Sequence, residues 1–154
     1  MDMLVNLYEI DENHSYNSKR YQIRIERILT PNIHQLEKFI KDNFDDNWAS
    51  EIKSACYKAN PSCFIAINDK HEIVGFAAYD ATCKGFFGPL GVKKEYRKKS
   101  IATDLIYKTL LSMKDDGYAY AIIGGVSEEV AYVYQKSVNA QKIYNKNNVY
   151  SRMI

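Results

Sequence analysis

No apolar run in the sequence approaches the roughly 20 residues that span a bilayer. Its opening residues, Met1-Asp2-Met3-Leu4, lack the basic-then-apolar layout of a secretory leader. Both absences point to a cytoplasmic protein with no membrane partner. Cysteine is scarce. Cys56, Cys63 and Cys83 are an odd number without a Cys-x-x-Cys pair, so they read as free buried thiols rather than a metal or redox centre. His14, His34 and His71 fall on different predicted elements without ligand-like spacing, which argues against a zinc site or any other metal. No internal repeat, low-complexity stretch or linker interrupts the chain. At 154 residues it is long enough to bury a real core in one domain. The domain reading is a single unit over 1–154, with 1–20 as an N-terminal strand and loop extension.

What is present is a concentration of positive charge. The formal net charge is +2, yet residues 93–99 hold five cations against one anion, so the rest of the chain sums to −2. Charge this local favours a small phosphate-bearing ligand over an extended nucleic-acid track. The basic turn, Lys93-Lys94-Glu95-Tyr96-Arg97-Lys98-Lys99, follows the apolar stretch Phe86-Phe87-Gly88-Pro89-Leu90-Gly91-Val92. Proline cannot donate to a ladder and glycine weakens one, so this strand should be bulged or splayed. A helix then opens at Ser100, with Ala102, Leu105, Ile106, Thr109, Leu110 and Met113 on one face. The free amides and the dipole of a helix N-terminus, fed by a basic turn, make a site for an anion.

The remaining chain reads in order. Leu4 to Ile10 is a short strand, and the alternation of Tyr21 to Glu26 gives another. Thr30-Pro31 starts a helix, with a capping hydroxyl and proline at the first position; Ile33, Leu36, Ile40 and Phe44 form its buried face. A second helix covers Trp48 to Lys58, and Asn60-Pro61 ends it. Cys63 to Ile67 and Ile73 to Tyr79 flank Asn68-Asp69-Lys70-His71 as a hairpin. The helix from Ser100 stops at Asp115-Asp116-Gly117. Tyr118 to Val126 is a strand ending in Gly124-Gly125, and Ser127 caps a helix running to Val138. Lys142 to Tyr144 and Val149 to Met153 are the last two strands.

Arg97-Lys98-Lys99-Ser100-Ile101-Ala102 resembles the pyrophosphate loop of the GNAT superfamily of N-acetyltransferases, Gln/Arg-x-x-Gly-x-Gly/Ala, with Ser100 where glycine is usual. The order of elements from about residue 21 onward is similar to the GNAT topology as well. The resemblance implies an α/β (α+β) fold: a mixed, mostly antiparallel sheet of six to seven strands with helices on both faces. It implies acetyl-CoA (coenzyme A) as acyl donor and transfer to a primary amine of a small molecule or peptide, with a homodimer left open. Carried onto this chain, the backbone of Arg97, Lys98, Lys99, Ser100, Ile101 and Ala102 wraps the pyrophosphate. Val92 bonds the pantetheine arm, and the Leu90 amide donates to the thioester carbonyl.

The helix from Ser127 contains Val130-Ala131-Tyr132-Val133-Tyr134-Gln135-Lys136. At about 100° per residue its two tyrosines point to opposite sides. Tyr134 shares the apolar side with Val130, Val133, Ser137 and Val138, whereas Tyr132 sits with Glu128, Gln135 and Lys136. Tyr134 also matches the family's proton-donating tyrosine, although Ser137-Val138-Asn139-Ala140 replaces the Gly-Phe that follows it there. Ser100 has two open roles, a helix cap or a phosphate donor. No general base is visible, Asp80 being the one guess. Asp42, Asp45, Asp46 and Glu51 hint at attraction for a cationic amine, but a solvated helical face is the better explanation. Two other functions remain open: a coenzyme A-binding module with little or no turnover, and a nucleic-acid binder through Lys93–Lys99. The latter needs stacking aromatics, of which the turn supplies only Tyr96.

Overall fold

In the computed structural model, which describes residues 1–154, every second side chain of the first strand is sealed from solvent. This strand is β1 (Asp2–Asn6), with Met3 and Val5 fully buried. It starts two residues before the predicted Leu4 and stops at Asn6. There the side-chain oxygen accepts from the Tyr8 amide at 3.0 Å and turns Leu7–Glu9 into a 3-10 helix. Next comes β2 (Arg24–Arg27), later than the predicted 21–26 because Asn17–Tyr21 coils into a 3-10 turn. The Thr30-Pro31 pair lies in a further 3-10 turn without a capping bond, so α1 begins at Ile33 (Ile33–Asn43). Asp45 caps α2 (Asp46–Cys56), accepting from the Trp48 amide at 2.7 Å. The hairpin is as expected, β3 (Cys63–Ile67) and β4 (Ile73–Tyr79). The chain continues through β5 (Phe86–Val92), α3 (Ile101–Asp115), β6 (Tyr120–Ile123), α4 (Glu128–Val138) and β7 (Gln141–Ile143).

The seven strands form one sheet in the order β2-β3-β4-β5-β6-β1-β7. Every neighbouring pair is antiparallel except β5 and β6. One core packs α1 and α2 on one face through Leu36, Ile40, Ile52 and Phe76. The other packs α3 and α4 on the opposite face through Leu105, Leu110, Phe87 and Ala131. This is the mixed, mostly antiparallel architecture the sequence implies. No helix is long and apolar enough to cross a membrane.

One predicted strand is absent. Val149–Arg152 is a 3-10 helix rather than a partner for β7, capped by Asn148, whose side chain accepts from the Tyr150 amide at 2.9 Å. The reason is local: Asn148 and Ser151 close a capping box, and the Tyr150 ring packs on the Gly124-Gly125 backbone. β1 already lies beside β7, pairing Asp2 with Ile143 and Leu4 with Gln141, while its other edge pairs Met3 with Ile123 of β6. The N-terminal segment thus occupies the sheet interior, and β7 is left as the edge strand.

The sheet is divided where β5 meets β6. Their parallel contact is confined to Phe86 with Ile122 and Phe87 with Ile123. From Gly88 onward β5 stays with β4 alone. Between Ala77 and Tyr79 the β4–β5 register shifts, with the partners moving from Leu90 to Phe87, so β5 holds an extra residue there. The bulge sits where glycine and proline weaken the ladder, as the sequence suggests.

Candidate functional site

The basic turn leaves β5 through a short 3-10 helix, Lys94–Tyr96, and reaches α3 by a left-handed path. Lys98 has φ 63° and Ser100 φ 62°, with one residue between them. The first amide of α3 to find an acceptor is Asp104, bonded to the Ser100 carbonyl at 3.0 Å; the amides of residues 98–103 donate to no group in the protein. A run of free N–H groups on such a turn is an anion-binding concavity, reinforced by the α3 dipole. Lys94, Arg97 and Lys98 are exposed around it. The Arg97 Nε reaches back to the Val92 carbonyl at 3.4 Å, and Lys99 lies over the Tyr21 ring at 4.8 Å. Of the two open roles for Ser100, the cap is removed: its hydroxyl makes no capping bond. Tyr96 is half-buried and accepts from Asn68 at 3.0 Å, which ties down the aromatic that a nucleic-acid surface would need.

Backbone direction along β5 follows from one bond. The Lys93 amide donates to Val74 at 2.8 Å, and Val92 stands opposite Gly75, Gly91 opposite Phe76 and Leu90 opposite Ala77. Antiparallel pairs alternate between bonded and non-bonded. Val92 and Leu90 therefore turn their amides and carbonyls away from β4, into the gap left by β6. Gly91 between them admits no side chain, since a Cβ there would lie 2.6 Å from the Phe44 ring and 2.9 Å from Phe76.

The other end of the gap opens into a cavity of about 620 Å³. Its walls come from α2 on one face of the sheet, from β5 and the end of β6, and from α4 on the other face. Tyr134 forms part of that wall. It is 6% exposed, packs edge-on against Phe87 with ring centroids 6.0 Å apart, and its hydroxyl has no partner in the protein. Burial pushes the phenol well above its ordinary value, so it stays protonated. The inward face of α4 is Ala131 and Tyr134; Val130 and Val133, predicted to share it, are 46% and 43% exposed. Tyr132, 60% exposed, points outward as expected.

Asp80 is not at the cavity. Its carboxylate accepts from the Gly85 amide and the Tyr118 hydroxyl, each at 2.7 Å, and so holds the β4–β5 turn. Burial and that bond push Tyr118 up to about 12. Of the four acidic residues noted on the helices, Asp45 and Glu51 line the cavity, whereas Asp42 pairs with Lys38 at 2.7 Å and Asp46 is exposed.

Three cavity residues have no signal in the local sequence pattern: Asn148, Tyr150 and Met153. The Tyr150 ring lies on the Gly124-Gly125 backbone, so close that a Cβ on Gly125 would sit 2.9 Å from it. Asp2 holds the same loop, accepting from the Gly125 amide at 3.1 Å, and Val126 bonds the Met1 carbonyl at 2.7 Å. The glycine pair was the available sign that something packs there.

The sequence profile of the acetyltransferase (GNAT) family matches residues 5–137. Comparison with curated proteins gives no match. Among solved structures, the fold is similar to a GCN5-related N-acetyltransferase from Sphaerobacter thermophilus, with a TM-score of 0.69 and 16% identity, covering 91% of this chain and 47% of that one. It is similar to a GNAT family N-acetyltransferase from Escherichia coli in complex with CoA, with a TM-score of 0.52 and 19% identity, covering 64% and 59%. It is similar also to an aminoglycoside antibiotic 6'-N-acetyltransferase from Acinetobacter baumannii, with a TM-score of 0.55 and 14% identity, covering 82% and 98%. The chain thus spans about half the length of the first two.

Proposed function

Because the chain belongs to the GNAT acetyltransferase family, we propose that residues 1–154 form one acetyltransferase domain. It moves the acetyl group of acetyl-CoA to a primary amine of a small molecule or peptide by direct attack. The observation that carries this reading is the run of unpartnered amides at residues 98–103, at the end of a strand whose Leu90 and Val92 face an open gap. That donor set fits a diphosphate followed by an extended arm, and it consists of backbone, which tolerates serine where glycine is usual.

When bound, acetyl-CoA supplies a thioester whose carbonyl carbon accepts the amine nitrogen as the carbon–sulfur bond breaks. The chain's own residues do the rest. The amides of Lys98, Lys99, Ser100, Ile101 and Ala102, with the Arg97 side chain beside them, hold the phosphates. Val92 presents backbone groups to the arm. The Leu90 amide offers a fixed donor to the carbonyl oxygen, on which negative charge grows. Tyr134 keeps its proton on Oη through the neutral range and delivers it to the departing sulfur. The amine enters neutral or gives its proton to water, since no carboxylate stands on β5.

A turnover assay reading free thiol, run over amines of several classes beside calorimetry with coenzyme A, tests the reading. Heat on binding together with thiol release supports it. Binding without release from any amine would leave a coenzyme A-binding module, and absence of both would remove the acyltransferase.

A further inference from the structure

The charged groups lining the cavity are of one sign. Asp45 and Glu51 line it, and no lysine or arginine does. Neither carboxylate is used up by the fold. Asp45 spends Oδ1 on the Trp48 amide, and its Oδ2 has no partner. Glu51 accepts at Oε1 from the Thr82 hydroxyl and, at 3.4 Å, from the Tyr150 hydroxyl, leaving Oε2 free. Glu51 is half-buried, and the aromatic side chains of Trp48 and Tyr150 line the same cavity.

A second, independent feature marks the cavity as a ligand site. Tyr134, a side chain 6% exposed whose hydroxyl has no partner in the protein, lines the cavity. Under the acyltransferase reading that hydroxyl marks the reacting end, so the carboxylates on α2 are left for another part of the acceptor. A neutral group placed there would leave Glu51 Oε2 partly stripped of water and unpaired, whereas an ammonium gains both a counter-charge and an aromatic face. The segment 148–153 closes this side by tying Tyr150 to Glu51 and to the Gly124-Gly125 backbone, which suits a compact molecule better than an extended chain.

We propose, resting on the acyltransferase reading, that the acceptor is a small polycationic amine. Its second ammonium group, distant from the reacting nitrogen, is held by Glu51 and Asp45 beside Trp48 and Tyr150. Linear polyamines and amino sugars share this chemistry.

The test compares matched pairs of acceptors, diaminobutane against butylamine and a two-amine amino sugar against glucosamine, in wild type and Glu51→Gln. The diamine should have a KM about tenfold or more below its monoamine partner, and Glu51→Gln should collapse that ratio toward one. Which pair shows the larger ratio separates the linear from the sugar source. Equal KM values within both wild-type pairs, or a variant that keeps the ratio, would overturn the proposal. Asp45→Asn retains the α2 cap and gives the same readout if Glu51→Gln fails to fold. Should no amine release thiol, calorimetry with diaminobutane still decides. Binding weakened by Glu51→Gln upholds the cation site while the transferase reading falls, and absence of binding removes both. Coenzyme A affinity, measured separately, reports on the donor end alone.

Discussion

β5 has different chemistry at its two ends. Its C-terminal end runs into a turn that offers bare amides over residues 98–103, surrounded by lysine and arginine. Its N-terminal end borders a cavity whose charged side chains are Asp45 and Glu51 and whose wall includes the buried, protonated phenol of Tyr134. The first end offers backbone groups and is contiguous with the strand that feeds it. The second offers side chains drawn from α2, β5, the loop after β6, α4 and the segment around Tyr150. A backbone site tolerates exchange of side chains so long as the φ angles survive, and a side-chain site does not. Damage should therefore separate cleanly: changes at the turn alter donor affinity, and changes at the cavity alter rate or acceptor selectivity.

The largest expected break is at Tyr134. Tyr134→Phe keeps the ring against Phe87 and deletes only the hydroxyl, so kcat should fall by about 10²–10³. Coenzyme A affinity by calorimetry should stay within about twofold. An unchanged kcat would take Tyr134 out of the mechanism. The pH profile sharpens the same point. Burial raises this phenol above its ordinary 10.0, so the acid form is fully present below that pH and is lost only as pH rises past the elevated value. No alkaline loss of kcat assignable to Tyr134 should appear below about pH 10.

Ala102→Asp attacks the opposite end. A carboxylate in the first turn of α3 satisfies the free amides and complements the dipole, which favours the helix by about 0.3–1 kcal/mol. The same carboxylate competes with and repels a diphosphate. Ala102 packs partly against the core, so part of the helix gain is offset; the expected outcome is a fold retained, with coenzyme A affinity weakened about tenfold or more. An unaltered affinity would mean that the phosphates lie elsewhere.

The difference between the ends also decides what could be read from the sequence. The donor end is a continuous stretch, Gly88 to Thr103, in which local rules act on neighbours: glycine and proline split the ladder, lysines cluster, and an apolar stripe announces α3. Most helices and the β3–β4 hairpin were legible for the same reason. The cavity is assembled over long separations, 123 residues for Asp2 on Gly125 and 99 for Tyr150 on Glu51. Asp45 and Glu51 looked like part of a solvated face because only the fold tells which side of α2 meets the gap. Val149 to Met153 reads as a strand, but Asn148 and Ser151 cap it as a 3-10 turn whose Tyr150 ring docks on Gly124-Gly125, a contact that only the fold supplies.

The smallest effect belongs to Ser100, and it tests the backbone character of the donor end most directly. Serine there adopts φ 62° and ψ 9° with no capping bond to offset the left-handed conformation. Such a conformation costs a non-glycine residue about 1–2 kcal/mol, against which glycine loses about 0.5–1 kcal/mol more on folding. Ser100→Gly should therefore gain a fraction of a kcal/mol to about 1 kcal/mol, a rise of about 1–4 °C in melting temperature for a chain of this size. If the amides alone grip the phosphates, the same variant binds coenzyme A as wild type does, within about twofold. A loss of affinity beside a gain in melting temperature would instead assign the hydroxyl to a phosphate oxygen, and one side chain would then share the work of the turn.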